Sequence, residues 1–301
     1  MPETYEQKRL KFWHVLLGIF ILIIATWAVY YMRAKANFEA ACEKIRAEGH
    51  PITMAELNKW YSIPPGQQNA ADAILQAVDH LVEWEEEKQD DLPVLGMEYF
   101  EIDEPFYLET LLLSEQFLAD NEKALTLLHK AAKIKYSRYP IDFKVGSDFS
   151  IDHLGPLKKT VQLLSLEARL YAEKNQPDKA IETIETMVAI SHSLSNEPIL
   201  ISQLVCIACD GLTVATAQRV ISRCDLSDTQ LQRVADMIKK MQTHSMATGF
   251  IGERCFTASM FDDGTYRVYA IGYFWFDAVL VAAKVTGFAY NDTVFNIDLL
   301  T

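Results

Sequence analysis

The loop between residues 139 and 153 holds the side chains best suited to chemistry in this sequence. Three carboxylates and one imidazole fall within it: Asp142, Asp148, Asp152 and His153. Carboxylates beside a histidine can bind a metal ion or act as general acid and base. Aspartate is also frequent in loops because it caps helices and stabilises turns, and Asp152 closely precedes a predicted helix. The sequence favours capping and packing, with an enzyme site in this loop as the alternative.

The second candidate is the motif Cys206-Ile207-Ala208-Cys209. A redox pair of this spacing needs the start of a helix, where the helix N-terminus lowers the thiol pKa. Here the motif falls in the middle of a long apolar segment, so we predict two buried structural thiols. A zinc site would need two further ligands, and the sequence contains no second cysteine pair. We therefore predict neither a metal ion nor a cofactor.

The other residues that could do chemistry do not indicate a reaction. His129, His192 and His244 fall on separate helical segments without visible partners, which favours satisfied or exposed side chains over metal ligands. The HExxH, GxSxG and SxxK motifs, the P-loop and the dinucleotide-binding fingerprint are all missing from the sequence. These absences weaken the common hydrolase and nucleotide-binding interpretations.

The strongest pattern lies near the start of the chain. Residues 12–32 form an uncharged apolar stretch with tryptophan and tyrosine toward its ends. About 20 such residues cross the ~30 Å hydrocarbon core of a bilayer as a helix, and aromatic residues favour its interfaces. The stretch exceeds the ~7–15 residues of a signal-peptide core, so an uncleaved anchor is favoured over a cleaved leader. The short basic tail at 1–11 predicts a cytoplasmic N-terminus and an extracytoplasmic body.

Beyond the anchor, the hydrophobic periodicity is helical nearly throughout. Residues 33–66 read as a juxtamembrane helix, ended by Gly49-His50-Pro51, and a Pro-rich turn. Residues 67–301 read as an all-α body of irregular helical hairpins, arranged as a solenoid or bundle. Residues 199–221 are apolar on nearly every side, which predicts a helix in the middle of that body with Asn196 as its N-cap.

The end of the chain carries a less regular pattern. Residues 266–288 are very apolar, but Arg267, Asp277 and Lys284 disfavour a second membrane span. Asn291-Asp292-Thr293 resembles a helix cap and also fits a glycosylation acceptor. The helical pattern that follows reaches Thr301 without a stop signal, which predicts that a final element is missing.

The charge of the chain restricts the classes of molecule that it is expected to bind. The formal net charge is −13 at pH 7, and the acidic excess lies beyond the basic N-terminal region. An acidic body repels phosphate backbones, so nucleic-acid binding over a broad surface is disfavoured. The lipid bilayer at residues 12–32 and a protein or peptide are the expected partners, with the oligomeric state left open.

One helical hairpin and several phrases resemble known proteins. The hairpin near residues 157–194 resembles one tetratricopeptide unit through Leu164, Ala168, Tyr171, Ala180, Ile184 and Met187. Three phrases, MAELNKWY at 54–61, RYPID at 138–142 and EPILISQLV at 197–205, are similar to uncharacterised single-pass membrane-anchored helical proteins of planctomycete-type bacteria. This resemblance implies a helical fold and a place at the membrane, without an activity or catalytic residues.

Together these patterns predict a membrane-anchored helical binding or scaffold protein of the bacterial cell envelope and favour a non-enzyme. It would sit in the inner membrane and present an acidic domain to a protein or peptide partner, in grooves between helical hairpins. The alternative is an enzyme with an Asp/His site in the 139–153 loop. A bundle that only spaces or assembles envelope components is a third possibility.

Overall fold

The computed structural model describes residues 3–242 and 245–262. Over these residues the chain forms eleven α-helices and no β-strand, which confirms the predicted all-α class. The chain divides into two compact units, residues 1–56 with 254–301 and residues 57–253. The predictions for His244, for residues 266–288, for Asn291-Asp292-Thr293 and for the end at Thr301 lie outside the described residues.

In the first unit, one uninterrupted helix, α1 (Glu3–Ala47), contains the whole apolar stretch. From Phe12 onward α1 is long and apolar enough to cross a membrane, and none of its most apolar window is buried. The helix continues past Met32 into polar residues without a break. It ends just before Gly49, whose φ of +85° is a backbone conformation that favours glycine. The predicted stop at Gly49-His50-Pro51 is therefore confirmed.

The polar end of α1 packs through one stripe of side chains. Cys42 and Ile45 are buried against Ile52 and Ala258, with Phe38 partly buried beside them. Ala258 belongs to α11 (Ala247–Asp262). These contacts supply a small apolar core within the first unit.

A reciprocal pair of hydrogen bonds starts the next helix, α2 (Met54–Trp60). Thr53 Oγ1 accepts from the Glu56 N–H at 3.2 Å, while Glu56 Oε2 accepts from the Thr53 N–H at 3.1 Å. This is a capping box, which satisfies two backbone donors that the helix itself leaves unpaired. Arg46 Nε adds a 3.0 Å bond to Glu56 Oε1, so the end of α1 and the start of α2 are joined.

The second unit is built around one central helix. Its helices after α2 are α3 (Ala70–Val78), α4 (Glu86–Gln89), α5 (Leu108–Asp120), α6 (Glu122–Ala131), α7 (Leu154–Glu173), α8 (Pro177–His192), α9 (Leu200–Arg223) and α10 (Asp228–Met241). A 3₁₀ segment, Phe143–Asp148, lies in the loop before α7. α7 contacts α3, α5, α6, α8 and α9. It therefore positions most of the side chains discussed below.

Small residues allow α7 and α8 to approach closely. Ala168, Ala172 and Ala180 are buried in one cluster with Ile184, and α9 and α10 contribute Ala217, Val220, Cys224 and Val234. Pro177 occupies the first turn of α8, where its missing N–H breaks no helical bond. The likeness of this hairpin to a tetratricopeptide unit remains a prediction.

Two predicted features of α9 are wrong. The helix buries one face against α7, α8 and α10, but Ile201, Leu204 and Ile207 are exposed, so it does not lie in the middle of the bundle. Its N-cap is Ile199 rather than Asn196, and no side chain caps it. Periodicity could not reveal the exposed face because that face is as apolar as the buried one.

The sequence from Ala70 to Trp84 has apolar residues at helical spacing, but the helix formed there is shorter. α3 ends at Val78, because the following chain bonds to the buried Asn121 instead of continuing the helix. Asn121 Oδ1 accepts from the Val82 N–H at 2.9 Å, and its Nδ2 donates to the Val82 carbonyl at 3.0 Å. The Asn121 side chain thus pairs with both the N–H and the carbonyl of Val82, in place of helical hydrogen bonds.

Candidate functional site

An open groove runs along α3 in the second unit. Its volume is about 1050 Å³, and its walls come from α3 and from segments near residues 63–69 and 134–140. Asn69 fixes these segments together. Its Oδ1 accepts from the Arg138 N–H at 2.8 Å, and its Nδ2 donates to the Arg138 carbonyl at 2.9 Å. The Ala70 N–H adds a 2.8 Å bond to the Tyr136 carbonyl.

The remaining wall of the groove depends on Arg138 and on a turn. Arg138 Nε donates to the Tyr61 carbonyl at 2.6 Å, and its guanidinium lies 5.2 Å from the centre of the Tyr61 ring. The turn before Asn69 passes through Gly66, whose φ is +77°. The guanidinium of Arg138 also donates to the Ile141 carbonyl at 3.4 Å, so this side chain bonds to backbone groups of two segments next to the groove.

Uncharged amides and two carboxylates line the groove. Gln67, Gln68 and Gln76 are exposed along it, and each amide can both donate and accept hydrogen bonds. Asp72 and Asp79 add negative charge, while Ile63, Leu75, Ile134 and Pro140 supply apolar contact. The lining of the groove therefore combines polar, charged and apolar side chains.

The four residues singled out in the 139–153 loop are not gathered at one point. Asp142 is exposed, and its Oδ1 accepts from the Lys144 N–H at 3.0 Å, which caps the 3₁₀ segment. Asp148 and Asp152 are also exposed. His153 turns the other way and is buried against Glu197. In the part of the chain that the structure describes, the hydrogen bonds of the imidazole go to Glu197.

Glu197 lies at the centre of a buried polar network in the connection between α8 and α9. Its carboxylate is fully buried, and His153 Nε2 lies 3.0 Å from Oε2 and 3.1 Å from Oε1. Ser202 Oγ donates to Oε1, and Tyr61 Oη donates to Oε2 at 3.4 Å. Sequence reasoning missed Glu197 because its partners His153 and Tyr61 lie 44 and 136 residues away along the chain.

Two tyrosines complete this network. The Tyr139 N–H donates to Tyr61 Oη at 2.8 Å, and the Tyr139 ring stacks on His153 with a centroid distance of 4.3 Å. Tyr139 Oη lies 2.8 Å from Ser193 Oγ. Burial raises the pKa of both phenols, so each stays protonated and acts as a hydrogen-bond donor. The network is enclosed and holds the loop onto the helices.

His129, for which the sequence suggested no partner, pairs with a carboxylate of α7. Its Nε2 lies 2.9 Å from Glu167 Oε2, and its Nδ1 lies 2.9 Å from Thr186 Oγ1. The hydrogen bond to Glu167 raises the pKa of His129 and outweighs the opposing effect of burial. Thr183 Oγ1 also donates to Glu167, at 3.2 Å, so α6, α7 and α8 meet at this carboxylate.

His192 is also paired, and its partner lies beside the predicted cysteine motif. His192 Nε2 is 3.2 Å from Asp210 Oδ2, and Asp210 Oδ1 accepts from Ser191 Oγ at 2.6 Å. Cys206 precedes Asp210 by one turn of α9, and its sulfur lies 3.6 Å from Ser191 Oγ. Burial raises the pKa of the Cys206 thiol to about 12 and that of Cys209 to about 11. Both are free thiols, as predicted.

Comparisons with protein-family models, with curated proteins and with solved structures found no match.

A buried ion pair fixes the segment before α5. Arg219 is buried, and its Nη2 donates to Glu173 Oε1 at 2.8 Å. The same guanidinium donates to the carbonyls of Glu101 and Glu104, at 2.8 and 2.6 Å, and lies 4.4 Å from the centre of the Phe106 ring. Glu173 Oε2 accepts from the Phe106 N–H at 3.3 Å. These bonds join α7, α9 and the segment before α5 within the protein, so we assign them a structural role.

Proposed function

We propose that this chain is a membrane-anchored helical binding protein that receives an extended segment of a protein partner in the groove along α3. The observation that carries the proposal is the groove itself, whose walls are held by Asn69 and Arg138 and whose floor and rim carry free-standing amide groups. Extended peptides expose backbone N–H and C=O groups, which glutamine side chains can pair with.

The chemistry of the groove suggests the character of its partner. Asp72 of α3 and Asp79, the residue that follows this helix, both line the groove. The Nε of Arg138 already donates a hydrogen bond to the Tyr61 carbonyl. The chain as a whole is acidic, with a formal net charge of −13. A partner segment with lysine or arginine would therefore be attracted to the groove, and the apolar side chains Leu75 and Ile134 would contact its aliphatic portions.

The anchor in this proposal is the apolar part of α1. Its side chains from Phe12 to Met32 project away from the protein, and exposure reaches 68% for Leu22. Monomeric soluble proteins rarely expose so large a contiguous apolar surface, whereas a bilayer would cover it. The basic residues of the tail support an N-terminus inside and a body outside the inner membrane.

Site-directed photo-crosslinking in native membranes tests the groove. A photoreactive residue at Gln76, inside the groove, should give a discrete adduct, while the same residue at the exposed Gln232 of α10 should not. Ala73→Arg would fill the groove and abolish the adduct, and Ala235→Arg, on the exposed side of α10, serves as the matched control. Equal adducts from both positions, or none from Gln76 in membranes that contain the chain, would refute the proposal.

The anchor has a separate test. Alkaline carbonate extraction should leave the full chain in the membrane pellet, and a variant with Ile21→Lys and Ile24→Lys should move to the supernatant, because each charge costs about 2.5–3.5 kcal/mol near a bilayer centre. In sealed inside-out vesicles of the inner membrane, the cytoplasmic face points outward, so an extracytoplasmic body should be protected from added protease. Digestion of the body in these vesicles would reverse the proposed orientation.

A further inference from the structure

Three side chains with different metal-binding atoms converge where α8 meets α9. His192 is the last residue of α8, and Cys206 and Asp210 lie one turn apart on the facing side of α9. One ligand atom from each, an imidazole nitrogen, the sulfur and a carboxylate oxygen, all lie within 4.8 Å of one another. None of these three atoms comes from a flexible loop, so the helices hold them in place.

The separation of the donors is close to what a zinc ion requires. Zinc binds nitrogen and oxygen at about 2.0–2.2 Å and sulfur at about 2.3 Å, which places tetrahedral ligands roughly 3.4–3.7 Å apart. His192 and Asp210 are already at 3.2 Å. The sulfur of Cys206 lies no more than 4.8 Å from either of these atoms, and rotation of side chains can shorten these distances.

An ion could reach this position from solvent. His192 lines a groove of about 370 Å³ that also involves Arg233 and Met237 of α10. The side chains of His192 and Asp210 are 18% and 13% exposed, whereas Cys206 is fully buried behind them. Two of the three ligands are therefore partly accessible to solvent, and the third is not.

We propose that His192, Cys206 and Asp210 bind one zinc ion, or a divalent cation of similar preference, with a water molecule in the fourth position beside the Ser191 hydroxyl. Imidazole with thiolate selects zinc and its neighbours in the transition series over magnesium and calcium, which prefer oxygen ligands alone. Binding replaces the thiol proton of Cys206 by the metal, and this proton is released to solvent. The site does not depend on the proposed membrane anchor or on the groove along α3.

Cobalt provides a direct probe of this site because it reports both a thiolate ligand and tetrahedral geometry. The full chain, purified in detergent and treated with a chelator, is titrated with Co²⁺ and then with Zn²⁺. We expect one equivalent of cobalt to give a near-ultraviolet thiolate-to-cobalt band together with intense visible bands, and zinc to displace both. With three protein ligands, a tetrahedral metal ion has a fourth position that a water molecule can occupy.

Variants connect the signal to the three residues. Cys206→Ser should remove the thiolate band, and His192→Gln and Asp210→Asn should each weaken cobalt binding at least tenfold. Cys209→Ser, a buried thiol on the same helix outside the ligand set, should retain the full signal. Circular dichroism checks that each variant is folded. If Cys206→Ser does not fold, cobalt binding by His192→Gln, at the partly exposed ligand, tests the site instead. Absence of a stoichiometric band, or a full band in Cys206→Ser or His192→Gln, would overturn the proposal.

Discussion

His153 Nε2 lies 3.0 Å from Glu197 Oε2, and the two side chains are 7% and 0% exposed. This pair links the loop before α7 to the connection between α8 and α9, two segments that are 44 residues apart in sequence. Ser202 and Tyr61 also direct hydroxyl groups to the same carboxylate. Glu197 is thus the shared acceptor for three separate parts of the second unit.

Removing this acceptor should be costly. We expect Glu197→Ala to lower the free energy of unfolding by about 3–5 kcal/mol, because it leaves buried donors without their partner. Urea unfolding of the full chain in detergent measures the change. Glu185→Ala is the matched control, since its bridge to Arg233 is about two-fifths exposed and should contribute about 0–1 kcal/mol. Similar small effects of both substitutions would contradict the structural role of Glu197.

Replacing two helical glycines by alanine should change the stability of the protein in opposite directions. A Cβ on Gly252 of α11 would lie 1.7 Å from the Pro198 carbonyl oxygen, whereas a Cβ on Gly211 of α9 would meet no atom within 4 Å. We expect Gly252→Ala to destabilise the protein by about 1–3 kcal/mol through overpacking. Gly211→Ala should stabilise it by about 0.5–1 kcal/mol through helix propensity. Thermal unfolding followed by circular dichroism compares the two, and equal shifts would show that the close approach at Pro198 is absent.

The pair between His129 and Glu167 should make stability depend on pH. The hydrogen bond to Glu167 raises the pKa of His129 in the folded protein above its unfolded value of about 6.5. Protonation therefore favours folding, so the contribution is complete below the unfolded pKa and is lost as pH rises through the folded pKa. The stability difference between the wild-type protein and His129→Gln should shrink across this interval, as measured by urea unfolding at several pH values.

A second background separates this effect from other titrating groups near His129. Glu182 also raises the pKa of His129, and Lys133 lowers it. In a Glu167→Gln protein the main hydrogen-bond acceptor is uncharged, so the pH-dependent part of the difference should become much smaller. An unchanged pH dependence in that background would show that Glu167 is not its source.

The buried pair between Arg219 and Glu173 should control the segment before α5. We expect Glu173→Ala to speed hydrogen exchange of the backbone amides at residues 100–107, because Arg219 then loses its carboxylate and the Phe106 N–H loses its acceptor. Lys174→Ala, the next residue along the chain, removes only an exposed bridge to Glu115 and should leave these amides protected. Equal exchange rates in both variants would contradict this assignment.

Local pattern was sufficient to predict most of the helices, and in several cases their ends. Ser227 and Gln230, three residues apart, form a capping box at the start of α10, and Pro177 begins α8. Each of these signals involves residues a few positions apart, where backbone geometry alone brings them together. The end of α3 was not predictable in this way, because it depends on Asn121, 39 residues from Val82.

The paired histidines show the same limit for the candidate site. The sequence suggested no partner for His129 or His192 and grouped His153 with nearby aspartates. The carboxylates that pair with these histidines lie on other helices or connections, at Glu167, Asp210 and Glu197. Only the packing of α6, α7, α8 and α9 brings these partners within hydrogen-bond distance. The groove along α3 escaped detection for a related reason, because its walls come from segments about 70 residues apart joined through Asn69.

The continuity of α1 has a mechanical consequence for the proposed anchored protein. A helix rises 1.5 Å per residue, so the turns between Met32 and Cys42 place the thiol about 15 Å beyond the lipid boundary. An unbroken helix cannot fold back or swivel there as a glycine-rich tether would. The packed end of α1 would therefore keep a constant height above the bilayer. Rotation of the membrane-embedded part of α1 about its axis would turn that end by the same angle.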